Sequence, residues 1–388
     1  MSDFSASLTL IALFILVSLL LYAVIIIRYV ICWKKCPEYI PDRNKDTNRF
    51  SVIIPFRNEE KQLPGILHDL SVQDFPVDKT EIILVDDHSI DKSVGVIQDF
   101  CTRYNHFRLI CLSDGESGKK EAIEAGIQAA EHEFIITTDA DCRAGKQWLS
   151  TIASFCHDFS PVMVIGQVIT ELSERNLPDY FQYLESISLT GAGAASALCG
   201  KPIYCSGANL CYRRDCYKSI RDPMMKAVVS GDDTFLLLQM KKKYRRDIRV
   251  LKARQALITT RAERKLKDFL RQRSRWISKA AYYRDREIIV PALVVLLANL
   301  TMLFVTVLFI TGILPWLSLV VWIIKLGLDG FLISSISGFY GIKFRPLYYL
   351  MAGFIYPFYL MIVITRAMLG PVEWKGRKGR VRGGEGGD

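Results

Sequence analysis

The sequence predicts an α/β domain with a largely parallel sheet, flanked on both sides by transmembrane helices. Three observations predict it. Half of the 388 residues are hydrophobic and the mean hydropathy is +0.19, a positive value that soluble globular chains seldom show. Four apolar stretches stand towards the two ends of the chain, at 8–31, 288–310, 316–339 and 347–369. Between them, from about residue 50 to 252, short β-type runs alternate with helical patterns, which signals βαβ layering. The length accommodates one domain with a sizeable core plus several spans. Disorder and fibrous repeats are excluded by the composition.

Residues 8–31 carry one charge, Arg28 near the end, and about 20 apolar residues suffice for ~30 Å of hydrocarbon. The run is too long for a secretory signal and no small-residue cleavage site follows, so it reads as an uncleaved anchor. Lys34, Lys35, Arg43 and Lys45 come next and place the following domain in the cytoplasm by the positive-inside rule. Candidate strands are SVIIP (51–55), EIILV (81–85), FRLICL (107–112), EFIITT (133–138) and VMVIGQV (162–168), with helix patterns at 60–70, 92–101, 119–130 and 146–155. In the middle C-terminal stretch Lys325 and Asp329 lie four apart on one helical face. That stretch either packs in a bundle as an ion pair or lies partly in the interface. Three crossings would put the tail outside, whereas two would return it to the cytoplasm, as the positive-inside rule favours. The domain plan is therefore an anchor and linker at 1–49, the α/β domain at 50–260 and a basic amphipathic helix at 261–286. Transmembrane helices follow at 287–370, then a mobile tail rich in glycine and charge at 371–388.

The formal net charge of +10 is concentrated: residues 241–286 hold 18 basic against 4 acidic residues. Beside membrane spans such a segment reads as lying on an anionic leaflet, and the same spans deny the soluble face that a nucleic-acid partner would need. Within it Leu266, Phe269, Leu270, Ile277 and Ala280 recur at helical spacing, giving an amphipathic helix on the membrane surface. The ten cysteines include no C-x-x-C and read as reduced thiols of a cytosolic protein. Cys205, Cys211 and Cys216 fit no common zinc spacing and read as buried small side chains. Cys32 and Cys36 are juxtamembrane, either acylated or idle.

Ligands of open α/β sheets bind beyond the carboxyl ends of strands, and polar residues collect there. The first strand runs into Pro55-Phe56-Arg57-Asn58-Glu59-Glu60 and the second into Asp86-Asp87-His88-Ser89-Ile90-Asp91. The acidic pair is either an N-cap or a carboxylate that accepts from a nucleotide base. The fourth strand runs into Asp139-Ala140-Asp141, where side chains two apart in an extended segment point the same way. Two carboxylates then converge, which is costly unless a cation joins them, and hard oxygen ligands suit Mg²⁺ or Mn²⁺. Ser117-Gly118-Lys119-Lys120 opens a helix and reads either as a phosphate contact or as a solvated turn. In Gly231-Asp232-Asp233-Thr234 the aspartates either cap the apolar helix that follows or supply a general base. Gln272, Arg275 and Trp276 share one helical face. Arg275 suits a diphosphate and Trp276 a sugar ring, with headgroup anchoring as the alternative.

Taken in order, P-x-R-N-E-E at 55–60, D-D-H-S-x-D at 86–91, G-K at 118–119, D-A-D at 139–141, G-A-N at 207–209, G-D-D-T at 231–234 and Q-R-S-R-W at 272–276 form one pattern. It resembles the family-2 inverting glycosyltransferases, the membrane group that includes cellulose, hyaluronan and poly-N-acetylglucosamine synthases. The resemblance covers residues 50–284 and the spans on both sides, and E-W-K-G-R at 373–377 looks like the ending of many members. It implies a GT-A fold, a nucleotide-diphosphate sugar donor, with a UDP-sugar favoured, and Mg²⁺ or Mn²⁺. Carried over residue by residue, Pro55, Arg57 and Glu59 border the nucleotide pocket together with Lys119, and Asp86 binds the base with Asp87 alongside. Asp139 and Asp141 hold the metal and diphosphate. Asp233 is the base, and Gln272, Arg275 and Trp276 bind the diphosphate and the acceptor end. Asp232 stands where the family usually has Glu, and its shorter arm puts that residue's contact in question.

The implied activity is transfer of a sugar to a hydroxyl of a lipid-linked or growing glycan acceptor, at the cytoplasmic face of a plasma-type membrane. Membrane lipids and other synthase subunits are the further partners considered, and nucleic acid is not one. The rival is a non-catalytic or partner-dependent subunit of a synthase complex. Loss of catalysis would leave one of Asp139, Asp141, Asp233 or Arg275 missing, and all four are present.

Overall fold

Strands rich in Val, Ile and Leu without polar alternation are buried on both faces, and the three at 50–56, 80–86 and 134–137 obey that rule. In the computed structural model, which describes residues 2–42, 48–172, 176–225, 231–341, 344–369, 372–374 and 377–379, the helix α1 (Ser2–Lys35) leads into a βα series. It comprises β1 (Phe50–Phe56), α2 (Leu63–Ser71), β2 (Thr80–Asp86), α3 (Ser93–Cys101), β3 (Phe107–Cys111), α4 (Lys119–Ala129) and β4 (Phe134–Thr137). Then come β5 (Cys142–Ala144), α5 (Trp148–Phe159), β6 (Met163–Ile165), β7 (Val168–Thr170), α6 (Leu177–Leu198), β8 (Leu210–Arg213), α7 (Arg214–Lys218), α8 (Asp232–Tyr244), β9 (Ile248–Val250) and β10 (Ile258–Thr260). The C-terminal part holds α9 (Leu266–Ser278), α10 (Arg286–Ile310), α11 (Pro315–Ser337), α12 (Pro346–Leu369) and a hairpin of β11 (Val372–Trp374) and β12 (Arg377–Gly379). Arg43, Lys45, and Lys375 and Gly376 of the tail motif lie outside the described residues, as do 380–388.

The main sheet has the order β3-β2-β1-β4-β8-β6-β9, with β8 antiparallel to both of its neighbours and every other pairing parallel. Strand order reverses direction between β1 and β4, the kind of switch point that opens a crevice at the strands' carboxyl ends. The period of two sorts the side chains: Ile53, Ile83, Val85 and Ile135 join one core cluster, and Val52, Ile54, Ile82, Leu84 and Ile136 the other. The run at 162–168 is not one strand. It breaks at Gly166, so that β6 stays in the main sheet while β7 crosses to a second sheet, β5-β10-β7. Gly166 makes the break because a Cβ there would lie 2.3 Å from the Asn209 side chain.

The long helix α6, which the sequence patterns did not announce, links the domain to the apolar helices. Its glycines let partners approach closely: a Cβ at Gly191 would be 2.4 Å from Ile336 of α11, and one at Gly193 would be 2.6 Å from Tyr204. One continuous core therefore runs from the sheet through α6 to Tyr29 and Trp33 of α1 and to Leu332 and Ile336 of α11. Among the described residues, four helices, α1, α10, α11 and α12, are long and apolar enough to cross a membrane. In α11 the ion-pair alternative is realised: Lys325 Nζ is 2.5 Å from Asp329 Oδ2, and the Tyr22 hydroxyl donates to the same carboxylate.

Two contacts fasten α1 to the domain. Lys252, buried, donates to the Trp33 and Cys36 carbonyls at 2.9 and 2.6 Å, placing a cation at the helix's negative carboxyl end. The second corrects the expectation of reduced thiols throughout: Cys32 and Cys199 form a disulfide with Cα atoms 5.6 Å apart. The two residues are 167 positions apart, so only the packing of α1 on the end of α6 reveals them as a pair. That bond also takes Cys32 away from acylation. Cys205, Cys211 and Cys216 are buried and free, as read. The basic helix α9 does not lie bare: Phe269 is buried against Tyr359 and Val363 of α12, while Leu266 at its start stays exposed.

Asn209 of the G-A-N motif accepts from Trp148 Nε1 at 3.0 Å and donates to the Gln167 and Ala256 carbonyls at 2.9 and 2.8 Å. Orphaning a buried partner costs about 1–3 kcal/mol. Asn209→Ala is therefore expected to lower the thermal unfolding midpoint of the detergent-purified protein by several degrees, measured by intrinsic fluorescence.

Candidate active site

The site is built from charged residues that the fold delivers to the carboxyl ends of β1, β2 and β4. Asp139 and Asp141 follow β4, and the ligand atoms of Asp139, Asp141 and Cys142 lie within 4.8 Å of one another. Asp232 and Asp233 occupy the first turn of α8, where the helix dipole favours carboxylates. Gly231 before them has φ +89°, a left-handed turn that glycine adopts without strain. Gly207 presses against this turn, since a Cβ there would be 3.3 Å from Asp232 Oδ2. Its N–H donates to Asp233 Oδ2 at 3.2 Å.

Cations answer these carboxylates. Lys119 Nζ, at the start of α4, lies 2.6 Å from Asp139 Oδ1 and 3.7 Å from Asp232 Oδ2, and so joins the two acidic pairs. Lys279, in the turn after α9, lies 3.3 Å from Asp233 Oδ1. Arg275 of α9 feels Asp232, Asp139 and Asp233, although burial draws its guanidinium below the ordinary range. Burial alone would push the Asp233 carboxyl up. Lys279, Lys119 and the Thr234 and Gly207 N–H groups outweigh it and bring the group down to about 2, so Asp233 is an anion at any ordinary pH. The same burial pushes the Cys142 thiol well above its usual range, which leaves two carboxylates as the hard donors. That donor set fits Mg²⁺ or Mn²⁺.

The loops after β1 and β2 are laced together. Asn58 N–H donates to Ser89 Oγ and Glu59 N–H to Ser93 Oγ at 2.9 and 2.8 Å, while the Ile90 N–H returns to Asn58 Oδ1 at 2.8 Å. Asn58 and His88 both take positive φ, 53° and 55°, so the two loops turn sharply in tandem. Asp86 is buried and accepts from Ser89 N–H at 3.1 Å. Arg57 donates to the Asp87 carbonyl at 2.6 Å and lies 4.0 Å from its carboxylate. Register carries the rest, because Pro55 pairs with Val85 and Phe56 with Asp86, setting Pro55, Arg57, Glu59, Asp86 and Asp87 along one rim.

Of the three residues expected on one face of α9, Arg275 is the one that feels the carboxylates' charge. Gln272 is engaged elsewhere, donating to Glu263 at 3.3 Å and accepting from Arg273. The Trp276 ring carries the Arg273 guanidinium 4.2 Å from its centroid. The sequence patterns passed over Lys279 and Arg273. Lys279 stands one helical turn beyond Arg275, a spacing that puts both on one face. Arg273 is buried and lies 2.7 Å from Glu185 of α6, which also accepts from the Tyr359 hydroxyl of α12. This buried triad holds α9 in place.

A mixed α/β sheet with doubly laced loops and paired carboxylates at a switch point is the architecture of the GT-A fold. Residues 51–221 match the family model described as glycosyl transferase family 2. Among curated relatives, an undecaprenyl-phosphate 4-deoxy-4-formamido-L-arabinose transferase of Proteus mirabilis is 33% identical over 152 residues, 34% of this chain and 47% of its own. The poly(ribitol-phosphate) beta-N-acetylglucosaminyltransferase TarS of Staphylococcus aureus is 30% identical over 118 residues, 30% of this chain and 20% of its own. The chain thus spans less than half the length of these relatives. Among solved structures, the mannosyltransferase PcManGT of Pyrobaculum calidifontis, in complex with GDP-Man and Mn²⁺, aligns with a TM-score of 0.57 at 15% identity, covering 93% of this chain and 97% of that one. At that identity the likeness is one of fold.

Lys119 occupies the space between carboxylates that a cation would share. A unit charge at ~4 Å is worth up to about 4 kcal/mol at an effective dielectric of 20, and a third of that is about tenfold in affinity. Lys119→Met is therefore expected to tighten Mn²⁺ binding in the absence of nucleotide by about tenfold or more, read by electron paramagnetic resonance of free Mn²⁺.

Proposed function

We propose that the protein is an inverting glycosyltransferase that moves a sugar from a nucleotide-diphosphate donor to a hydroxyl of a lipid-linked or growing glycan acceptor at the cytoplasmic face of the membrane. The observation that carries this reading is the meeting of Asp139, Asp232 and Asp233 with Lys119, Lys279 and Arg275, brought from four separate stretches of chain to one switch point. A sugar hydroxyl is a poor nucleophile, and a nucleoside diphosphate leaves readily only when its charge is neutralised. One base, one cation site and a nearby Arg are the minimum set, and Asp233, the Asp139–Asp141 pair and Arg275 are assigned to them in this reading.

Each residue has a task. The rim of Pro55, Arg57, Glu59, Asp86 and Asp87 receives the nucleotide, Asp86 accepting from the base. Asp139 and Asp141 would hold Mg²⁺ or Mn²⁺, which would supply positive charge to the departing diphosphate. Lys119 and Arg275 carry charge to the same place. Asp233, already ionised, takes the proton of the acceptor hydroxyl as that oxygen attacks the anomeric carbon in a single displacement. Trp276 and Gln272 border the acceptor end from α9. A UDP-sugar is the favoured donor by the motif resemblance, and lipid-linked acceptors accord with the Proteus mirabilis relative's undecaprenyl phosphate. Lys34 and Lys35, exposed at the end of α1, support a cytoplasmic site by the positive-inside rule.

The rival reading, a non-catalytic subunit of a synthase complex, predicts nucleotide binding without turnover. Release of nucleoside diphosphate from a panel of sugar nucleotides, by detergent-purified protein with Mn²⁺ or Mg²⁺ and membrane lipid extract, separates the two. One donor should be consumed, and Asp233→Asn should lower the rate by about 10² to 10⁴, the usual contribution of a positioned base. Binding without turnover of any donor would favour the rival.

A further inference from the structure

We propose that Lys279 is a positioning residue that acts through Asp233, as the dedicated counter-charge that keeps this carboxylate ionised. The inference rests on the reading of Asp233 as base and deepens it.

The donors around Asp233 divide unevenly between its oxygens. Oδ1 accepts from Thr234 N–H at 2.6 Å, from Thr234 Oγ1 at 3.2 Å and from Lys279 Nζ at 3.3 Å. Oδ2 accepts from Gly207 N–H at 3.2 Å. A carboxylate oxygen has about two lone-pair sites, so Oδ1 is saturated and Oδ2 keeps capacity for a further donor. In the step proposed above, the acceptor O–H loses its proton to Oδ2 as the new C1–O bond forms. The bond from C1 to the diphosphate oxygen breaks, and the nucleoside diphosphate departs with its electron pair.

Lys279 is the cation assigned to this carboxylate because its neighbours have other work. Lys119 is drawn to Asp139 at 2.6 Å. Lys120, the next residue of α4, donates to the Met224 and Met225 carbonyls at 2.7 and 2.9 Å. Lys279 also donates to Thr234 Oγ1 at 3.4 Å, which closes a triangle of ammonium, hydroxyl and carboxylate. Gly231 leaves room for it, since a Cβ there would be 2.9 Å from Lys279 Cδ. The remaining charged and titratable groups facing Asp233 are Asp232 on α8, Arg275 on α9, Tyr204 and Cys205 ahead of β8, and Tyr283 beyond α9. Burial pushes Cys205, Tyr204 and Tyr283 up and brings Lys120 down to about 8, so these four stay out of the acidic range.

A buried carboxylate that loses a nearby opposite charge titrates higher by about 1 to 3 units. The sign follows: without Lys279 the base is protonated, and inactive, at a higher pH. The experiment is the pH profile of kcat/KM for donor turnover by the full-length protein in detergent, for the parent and for Lys279→Met, Lys279→Gln and Lys279→Arg. The acidic limb should move up by about 1 to 3 pH units in the two neutral variants and stay in place in Lys279→Arg, with the donor KM unchanged in all three. An unmoved limb in a folded neutral variant overturns the proposal, as does a Lys279→Arg limb that moves as far as the neutral ones. If neither neutral variant folds, judged by thermal unfolding, Lys279 is a folding residue and the proposal is overturned. A parent that turns over no donor refutes the transferase reading itself, whereas an active parent with unmoved limbs refutes this inference alone.

Discussion

Concentrated negative charge at the end of a buried sheet is the constraint on which this molecule turns. Asp139, Asp232 and Asp233 converge where water is scarce, and carboxylates in such a place are protonated unless cations and N–H groups stand close. The chain answers from three directions, with Lys119 at the start of α4, Arg275 on α9 and Lys279 just after it. None of the three neighbours its partner in sequence. The site therefore exists only when the sheet, α4, α8 and α9 are all assembled, which ties chemistry to folding more tightly than a loop-borne site would.

The position of α9 is in turn set from below. Arg273 pairs with Glu185 of α6, Glu185 accepts from Tyr359 of α12, and Phe269 packs on Tyr359 and Val363. Removing one partner of a buried ion pair costs about 3–5 kcal/mol, so this triad holds α9 firmly against two other helices. Because α6 also meets α1 and α11 through a continuous core, the apolar helices support the charged cluster as well as flanking the domain. The Lys252 cap and the Cys32–Cys199 bond fasten α1 to the same body.

Much of this was legible in the sequence, for definite reasons. β1, β2 and β4 announce themselves because strands buried on both faces read as unbroken apolar runs, and the acidic motifs are conspicuous because they follow those runs directly. The helix α6 stayed hidden because its small residues, Gly191 and Gly193 among them, read as helix breakers although close packing requires them. The break between β6 and β7 escaped notice because its cause, the Asn209 side chain lying against Gly166, belongs to a residue over forty positions away. Cys32 and Cys199 were illegible as a pair because no spacing rule links an anchor helix to the end of α6. Lys279 lies one turn past Arg275, but in a basic segment its charge is one of many, and only the folded site singles it out by bringing it to Asp233.

Whether this charged cluster is a metal-assisted nucleotide-diphosphate site is decided by calorimetric titration of the purified protein with UDP and GDP, with and without Mn²⁺. One nucleotide should bind only when the metal is present, and an Asp139→Asn/Asp141→Asn double variant should abolish this binding. Nucleotide binding that needs no metal and survives the double substitution would contradict that reading.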